Sequence, residues 1–317
     1  MFTGSSQQDE NKGRASAPGS IDSAVARKGA FLAGTLPGCT LATVVLYADG
    51  MKIAALQMVS SAEVSRNLET AAELVAQAAA AGARLLALPE YFCLMGQRDE
   101  DKLTIAEEDG AGPIQDMLAA LARRYGVWLI GGTLPIKGVT PGRVRNACCV
   151  WNPAGERVVR YDKIHLFAFD NGRERYDEAR ILEAGDTPVA FEAEGLRVGL
   201  SVCYDLRFPE LYRALAVPPC DVIVVPAAFT YTTGQAHWDL LLRARAVENQ
   251  CYVLASAQGG RHDNGRRTWG HSQVIDPWGQ VQACVDEGLG VAQAEVDGQR
   301  LAAIRQQLPA LAHRRLG

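Results

Sequence analysis

The sequence contains no Cys-x-x-Cys pair, and its five histidines (His165, His237, His262, His271 and His313) show no metal-ligand spacing. A metal site is therefore not expected. No Gly-x-Gly-x-x-Gly follows the first strand pattern and no P-loop is present, which removes support for a nucleotide or dinucleotide. A Gly-x-Ser-x-Gly elbow is missing as well, so a serine hydrolase of that type is unsupported. Charge of one sign is scarce: the net value is -4, without a basic stripe, which argues against nucleic acid as a partner. Eight cysteines are scattered without a regular framework, Cys148 and Cys149 being adjacent in an apolar run. In a chain of this size they read as reduced thiols in a cytoplasmic compartment.

A convincing membrane span is also lacking. The apolar stretch 30–48 sits behind Arg27 and Lys28, and 36–39 faintly resembles a lipoprotein cleavage site. It is broken by Pro37 and two glycines and is poor in Leu and Ile, so no membrane association is expected. Residues 1–50 as a whole, polar as far as Lys28, read as a disordered or mis-annotated extension.

What is present is a chain of 317 residues, 48% hydrophobic and 21% charged, enough for a large core in one or two domains. The working domain is expected over 51–317. Apolar alternation marks a strand at 52–58, helical spacing an alanine-rich helix at 63–81, and a short apolar run a buried strand at 84–88. Helix is expected again at 114–125 and strand at 127–133. A hairpin at 145–151 and 157–161 turns about Asn152-Pro153-Ala154-Gly155. The polar segment 167–183 has no clear period and reads as an active-site loop. Strands resume at Val189 and Leu196, helix follows Cys203, and strand 222–225, helix 235–248 and strand 251–256 come next. A strand pair about Asp276-Pro277-Trp278-Gly279, a last strand near Val291 and a terminal helix close the chain. Alternation of this kind gives an α/β class.

Chemistry-bearing residues stand at the ends of three strands. The run Leu196 to Pro209 (Leu-Arg-Val-Gly-Leu-Ser-Val-Cys-Tyr-Asp-Leu-Arg-Phe-Pro) rises through β-branched residues to Cys203 and then enters a helical pattern. Such a turn would aim helix N-terminal amides at the thiol, lowering its pKa and offering oxyanion donors. A small buried hydrophobe is the alternative. Glu90 closes Leu-Leu-Ala-Leu-Pro, where desolvation would raise its pKa toward a general base; a helix-start or surface carboxylate is the alternative. Lys163 follows the strand 157–161 among apolar neighbours, as a charge stabiliser or as a lysine snorkelling from a strand end. Together they supply base, cation and nucleophile for acyl transfer. His237 and His271 remain candidates for the histidine of a papain-like arrangement.

The blocks Leu-Pro-Glu-Tyr at Glu90, Tyr-Asp-Lys-Ile-His-Leu-Phe at Lys163 and Ser-Val-Cys-Tyr-Asp-Leu-Arg-Phe-Pro-Glu at Cys203 resemble the three signatures of the nitrilase superfamily of carbon–nitrogen hydrolases. The resemblance runs from Met51 to the C-terminus. It implies a four-layer α-β-β-α sandwich and a Glu-Lys-Cys set that uses no metal or cofactor. It further implies a second glutamate before Leu-x-x-Gly-Asp; Glu178 fits, with Glu174 and Glu183 as rivals. In these roles Glu90 takes the thiol proton and later activates water, while Cys203 attacks an amide carbonyl and forms a thioester. Lys163 and the Tyr204 amide hold the oxyanion, and Glu178 orients Lys163 or a substrate proton. The blocks 88–96, 229–238, 257–262 and 267–272 are most similar to the deaminated-glutathione amidase branch, with ω-amidase next to it. Both imply a small carboxylated amide and a homodimer or higher homo-oligomer, paired through helices at 210–214 and 235–248; nitrilase and N-carbamoyl amino acid hydrolase are further alternatives. Arg207 is the nearest cation for a carboxylate, unless it pairs with Asp205 or Glu210. Thr230, Thr233 and His237 fall in a block expected to line the pocket, although His237 and Trp238 would equally serve to pack or cap the following helix.

Overall fold

The computed structural model describes residues 50–172 and 175–316. The expected extension 1–50 therefore lies, but for Gly50, outside the described residues, as does the rival Glu174. Two sheets form the frame. The first runs, in spatial order, Gly290–Val296, Met51–Gln57, Leu85–Ala87, Trp128–Ile130, Val144–Trp151 and Leu134–Lys137. Arg157–Asp162 and Leu182–Glu183 also pair with Val144–Trp151. The second sheet runs Ala190–Ala193, Leu196–Leu200, Val222–Ala227, Tyr252–Ala257, Ser272–Ile275 and Val281–Val285. Each has three parallel strands at its heart and antiparallel strands flanking them.

Period-two alternation sorts the first sheet's side chains between two apolar layers. Ile53, Ala55, Leu85, Ala87, Cys148 and Val150 face the second sheet and pack with Val198, Leu200, Val222 and Val253. Ala54, Leu56, Leu86, Leu88, Cys149 and Trp151 face outward onto the helices Val64–Ala80 and Pro113–Tyr125, meeting Ala71, Val75, Leu118 and Ala122. On the far side, Val222–Ala227 and Tyr252–Ala257 are buried along their whole length, as strands covered on both faces must be. The helices Pro209–Leu215 and Tyr231–Asn249 cover them with Tyr212, Trp238, Leu242 and Ala246. The result is the expected α-β-β-α sandwich.

Three local expectations are corrected. The stretch 127–133 is a strand only at Trp128–Ile130; Gly131 and Gly132 interrupt it, and a separate strand follows at Leu134–Lys137. The segment 167–183 is not an irregular loop. It folds into a hairpin, Ala168–Asp170 with Arg175–Asp177, then a 3₁₀ turn and the short strand Leu182–Glu183. Its strands are only two or three residues long, too short to carry an apolar alternation that can be read. Finally, no α-helix starts at Cys203. Residues Cys203–Arg207 form a 3₁₀ turn, and the helix begins only at Pro209. Among the described residues no helix is long and apolar enough to cross a membrane.

Candidate active site

Three strand ends converge where the sheets meet. Leu85–Ala87 runs into Glu90, Arg157–Asp162 into Lys163, and Leu196–Leu200 into Cys203. Glu90 and Lys163 are almost wholly withdrawn from solvent, at 1% exposure each. Burial without partners would be prohibitive for either charge, so the partners decide what the pair can do. Lys163 Nζ donates to Glu90 Oε1 at 2.9 Å and to both Glu178 oxygens, at 3.0 and 2.8 Å. The other Glu90 contacts are Asn146 Nδ2 on Oε1 and the Ala228 amide on Oε2, each at 2.9 Å. Asn146 belongs to the first sheet and Ala228 directly follows the second sheet's strand Val222–Ala227, so this carboxylate is bonded to both.

Glu178 is as fully engaged. Besides Lys163 it accepts the Tyr91 hydroxyl on Oε1 and the Phe167 amide on Oε2, each at 2.7 Å. Its rival Glu183 is committed elsewhere, to the amides of Val139 and Thr140 and to Arg145 Nε. The turn carrying Glu90 is braced from a neighbouring loop. Gly132, with φ of 55°, passes so near that a Cβ there would lie 2.1 Å from the Pro89 carbonyl oxygen. Only glycine fits that approach. Thr133 Oγ1 then accepts the Tyr91 amide at 2.9 Å.

Cys203 takes a left-handed backbone, φ 49°, at the head of its 3₁₀ turn. For a residue other than glycine this is a strained position of the kind found at functional sites. Asp205 holds the turn: it accepts the Val202 amide at 2.8 Å, the Tyr161 hydroxyl at 2.6 Å and the His165 amide at 2.9 Å, with His165 Nδ1 at 2.7 Å. Asp205 is thus not the partner of Arg207. Nor does Glu210 pair with it among the described residues; Arg207 Nη1 instead meets His237 Nδ1 at 3.2 Å and lies over the Phe229 ring at 5.3 Å. His237 touches Arg207 rather than Cys203. His271 stacks on Trp269 and accepts the Trp238 indole N–H on its carbonyl, so neither histidine serves the thiol.

The electrostatics reverse one expectation. Burial pushes the Cys203 thiol well above its ordinary pKa, the Glu90 carboxylate adds to this, and Lys163 only partly opposes it. Without an α-helix starting at the cysteine, the expected lowering by helix amides does not arise. Burial likewise raises Glu90 above the usual carboxylate value, opposed by Lys163 and reinforced by Glu178. For Lys163 burial acts downward, but the carboxylates of Glu178 and Glu90 outweigh it and hold the ammonium charged. The resting site is therefore a neutral thiol beside a base of raised pKa that hydrogen-bonds both the thiol and a permanent cation.

Cys203 lies between two clefts. The larger is lined by Glu90, Tyr91, Glu178 and Thr230, with Lys102 and Arg266 farther out. The smaller is lined by Phe167, Tyr204, Arg207, Phe229, Thr230 and Thr233. Thr230 and Thr233 share a hydroxyl contact of 2.8 Å at the N-terminus of Tyr231–Asn249. Every residue proposed from sequence for substrate contact except His237 thus borders a cleft that reaches Cys203. Tyr91, Asn146, Asp99, Lys102 and Arg266 escaped sequence reasoning. Tyr91, next to Glu90, had a readable signal in its position; the others meet only through the fold.

The carbon–nitrogen hydrolase family model matches residues 52–306. The deaminated glutathione amidase of Synechocystis sp. is 41% identical over 266 residues, covering 82% of this chain and 97% of that protein. The omega-amidase NIT2 of Mus musculus is 39% identical over 266 residues, 83% of this chain and 95% of its own. Among solved structures, Saccharomyces cerevisiae Nit3, a member of branch 10 of the nitrilase superfamily, superposes with a TM-score of 0.76 at 29% identity, covering 84% of this chain and 97% of that one. A variant amidase from Nesterenkonia sp. AN1, bearing the acetamide moiety of fluoroacetamide on its active-site cysteine, reaches 0.71 at 25% identity, covering 84% and 94%. Family match and relatives extend across the whole sandwich, and on that footing the chain belongs to the carbon–nitrogen hydrolases of the nitrilase superfamily.

Proposed function

We propose that this enzyme hydrolyses the amide bond of a small carboxylated amide, deaminated glutathione, through a thioester on Cys203. The observation that carries the reading is one buried hydrogen-bonded set, Glu90, Lys163 and Glu178, at the wall of a cleft that Cys203 also lines. The Synechocystis relative supports the substrate.

The sequence of steps follows from where protons can go. Glu90 takes the thiol proton as Cys203 Sγ bonds to the amide carbon, so the raised thiol pKa is met in the step itself. Negative charge appears on the carbonyl oxygen, where Lys163 Nζ and the Tyr204 amide hold it. Collapse breaks the C–N bond, and protonated Glu90 gives its proton to the leaving nitrogen. Glu90, again a base, removes a proton from water as the water oxygen bonds to the thioester carbon. The C–S bond breaks, the thiol recovers its proton and the carboxylic acid leaves. Glu178 fixes Lys163 throughout. Arg207, with Thr230 and Thr233 beside it and His237 holding its guanidinium, receives a substrate carboxylate.

An ω-amidase acting on α-ketoglutaramate-type monoamides is the second reading, favoured by the Mus musculus relative. Hydrolysis rates for deaminated glutathione, α-ketoglutaramate, a simple nitrile and an N-carbamoyl amino acid distinguish the readings. Fastest turnover of deaminated glutathione is expected. Turnover confined to the nitrile or the carbamoyl compound would overturn the proposal.

A further inference from the structure

We infer that Lys102 and Arg266, bridged by Asp99 at the outer end of the larger cleft, bind a carboxylate on the leaving group, so that the amine released is a short peptide or amino acid and not ammonia. This deepens the amidase reading above and rests on it.

The side of the site follows from proton transfer. Glu90 must hand its proton to the departing nitrogen, and Glu90 lines the larger cleft but not the smaller. The leaving group therefore occupies the larger cleft, and the acyl portion lies in the smaller one with Arg207. Along the larger cleft the charge is arranged unevenly. Lys102 Nζ and Arg266 Nη2 both bond one oxygen of Asp99, Oδ1, at 3.1 and 3.0 Å. Burial would raise the Asp99 carboxyl, yet the two cations hold it below its ordinary value, so the cluster carries one surplus positive charge. Asp177, the other carboxylate of this outer wall, forms no ion pair with either cation among the described residues.

The cluster is also held in place. Lys102 lies over the Tyr91 ring at 4.8 Å, its side chain only 10% exposed, and Arg266 lies over the Tyr176 ring at 5.3 Å. Arg266 sits in the hairpin formed by Gly259–Arg261 and Arg267–Trp269. Inside that hairpin His262 bridges the Ser60 carbonyl and Thr268 Oγ1, each at 2.8 Å. Aromatic faces and a buried imidazole thus fix two cations that would otherwise move freely, which is what selective carboxylate binding needs. Reach agrees with this. Tyr91 spans the gap, its hydroxyl on Glu178 and its ring beneath Lys102. An extended dipeptide covers roughly 7 Å, the scale of one tyrosine side chain.

The test compares deaminated glutathione, the same compound with its terminal carboxylate converted to the amide, and α-ketoglutaramate, whose leaving group is ammonia. In the wild-type enzyme the terminal amide should lower kcat/KM by about tenfold or more, chiefly through KM, as loss of a charge-assisted contact does. Arg266→Gln should cut the ratio of kcat/KM for deaminated glutathione over α-ketoglutaramate by a similar factor and shrink the penalty for the terminal amide. Equal wild-type rates for acid and amide, or an amide penalty unchanged in Arg266→Gln, would overturn the inference. Turnover of α-ketoglutaramate without deaminated glutathione overturns it while the amidase reading stands. Turnover of neither removes both.

Discussion

Replacing Glu178 by Gln isolates the charge that holds Lys163 while keeping the shape. Four donor contacts converge on this carboxylate: two from Lys163 and one each from Tyr91 and Phe167. A glutamine amide must turn its NH₂ toward one pair. Toward Phe167 it faces an N–H and the ammonium, a double conflict. Toward Tyr91 the hydroxyl can rotate and accept, so only the Lys163 contact at 3.0 Å is lost. The lost charge-assisted bond accounts for roughly 1.5–3 kcal/mol, and a factor of ten in rate corresponds to about 1.4 kcal/mol. A fall in kcat of about 10- to 100-fold is expected if the whole bond is lost in the transition state. A second readout separates this from general damage. Glu178 is one cause of the raised Glu90 pKa, so its neutralisation should lower that pKa. Activity needs unprotonated Glu90 and is lost as pH falls through its pKa. The acid limb of kcat/KM, set above the ordinary 4.5 in the wild type, should therefore move to lower pH in Glu178→Gln. The assay is amide hydrolysis between pH 4 and 9, with melting temperature as the control for folding. A variant with wild-type kcat and an unmoved acid limb would refute the reasoning, and so would equal losses in Glu183→Gln.

Four further outcomes are expected. Cys203→Ala should abolish hydrolysis with the fold intact. Iodoacetamide should modify Cys203 more slowly in Glu90→Gln, with exposed Cys284 as an unaffected reference; unchanged Cys203 labelling would count against Glu90 as the base. Deleting residues 1–50 should leave activity and melting temperature nearly unchanged, since the family match begins at residue 52; a large loss of either would make the extension structural. Sedimentation at micromolar concentration should give a dimer or larger, because Val217, Leu240 and Val247 leave apolar side chains exposed on and beside the helices Pro209–Leu215 and Tyr231–Asn249. A fully active 34.1 kDa monomer would contradict this.

The strands, helices and strand-end side chains were readable because burial imposes a period. Glu90, Lys163 and Cys203 each end a strand, where polarity breaks a visible pattern. Glu178 had no such contrast, and its place followed only from family resemblance. The helical pattern expected at 210–214 falls within the helix Pro209–Leu215, but the direct turn from Cys203 into it fails at Pro209: the residue before a proline is driven out of the helical region, while proline itself suits the first helical turn. Phe208 is extended, with ψ of 92°, and the helix starts beside it. Lys102, Asp99 and Arg266 were beyond reach. They are ordinary surface-type charges more than 160 residues apart at the extremes, and only the hairpin's placement on the sheet end makes them neighbours.

Glu90 is bonded to one sheet through Asn146 and to the other through the amide of Ala228. The proton acceptor is therefore a rivet across the seam of the sandwich, and its geometry is only as constant as the spacing of the two halves. Sliding of one sheet over the other by an ångström would break a 2.9 Å contact while the apolar seam still excluded water. Turnover in such a protein is expected to fail before melting begins. Cold, pressure or mild denaturant should thus silence the enzyme while circular dichroism still reports a folded chain, and the catalytic rate becomes the most sensitive gauge of how tightly the sandwich is closed.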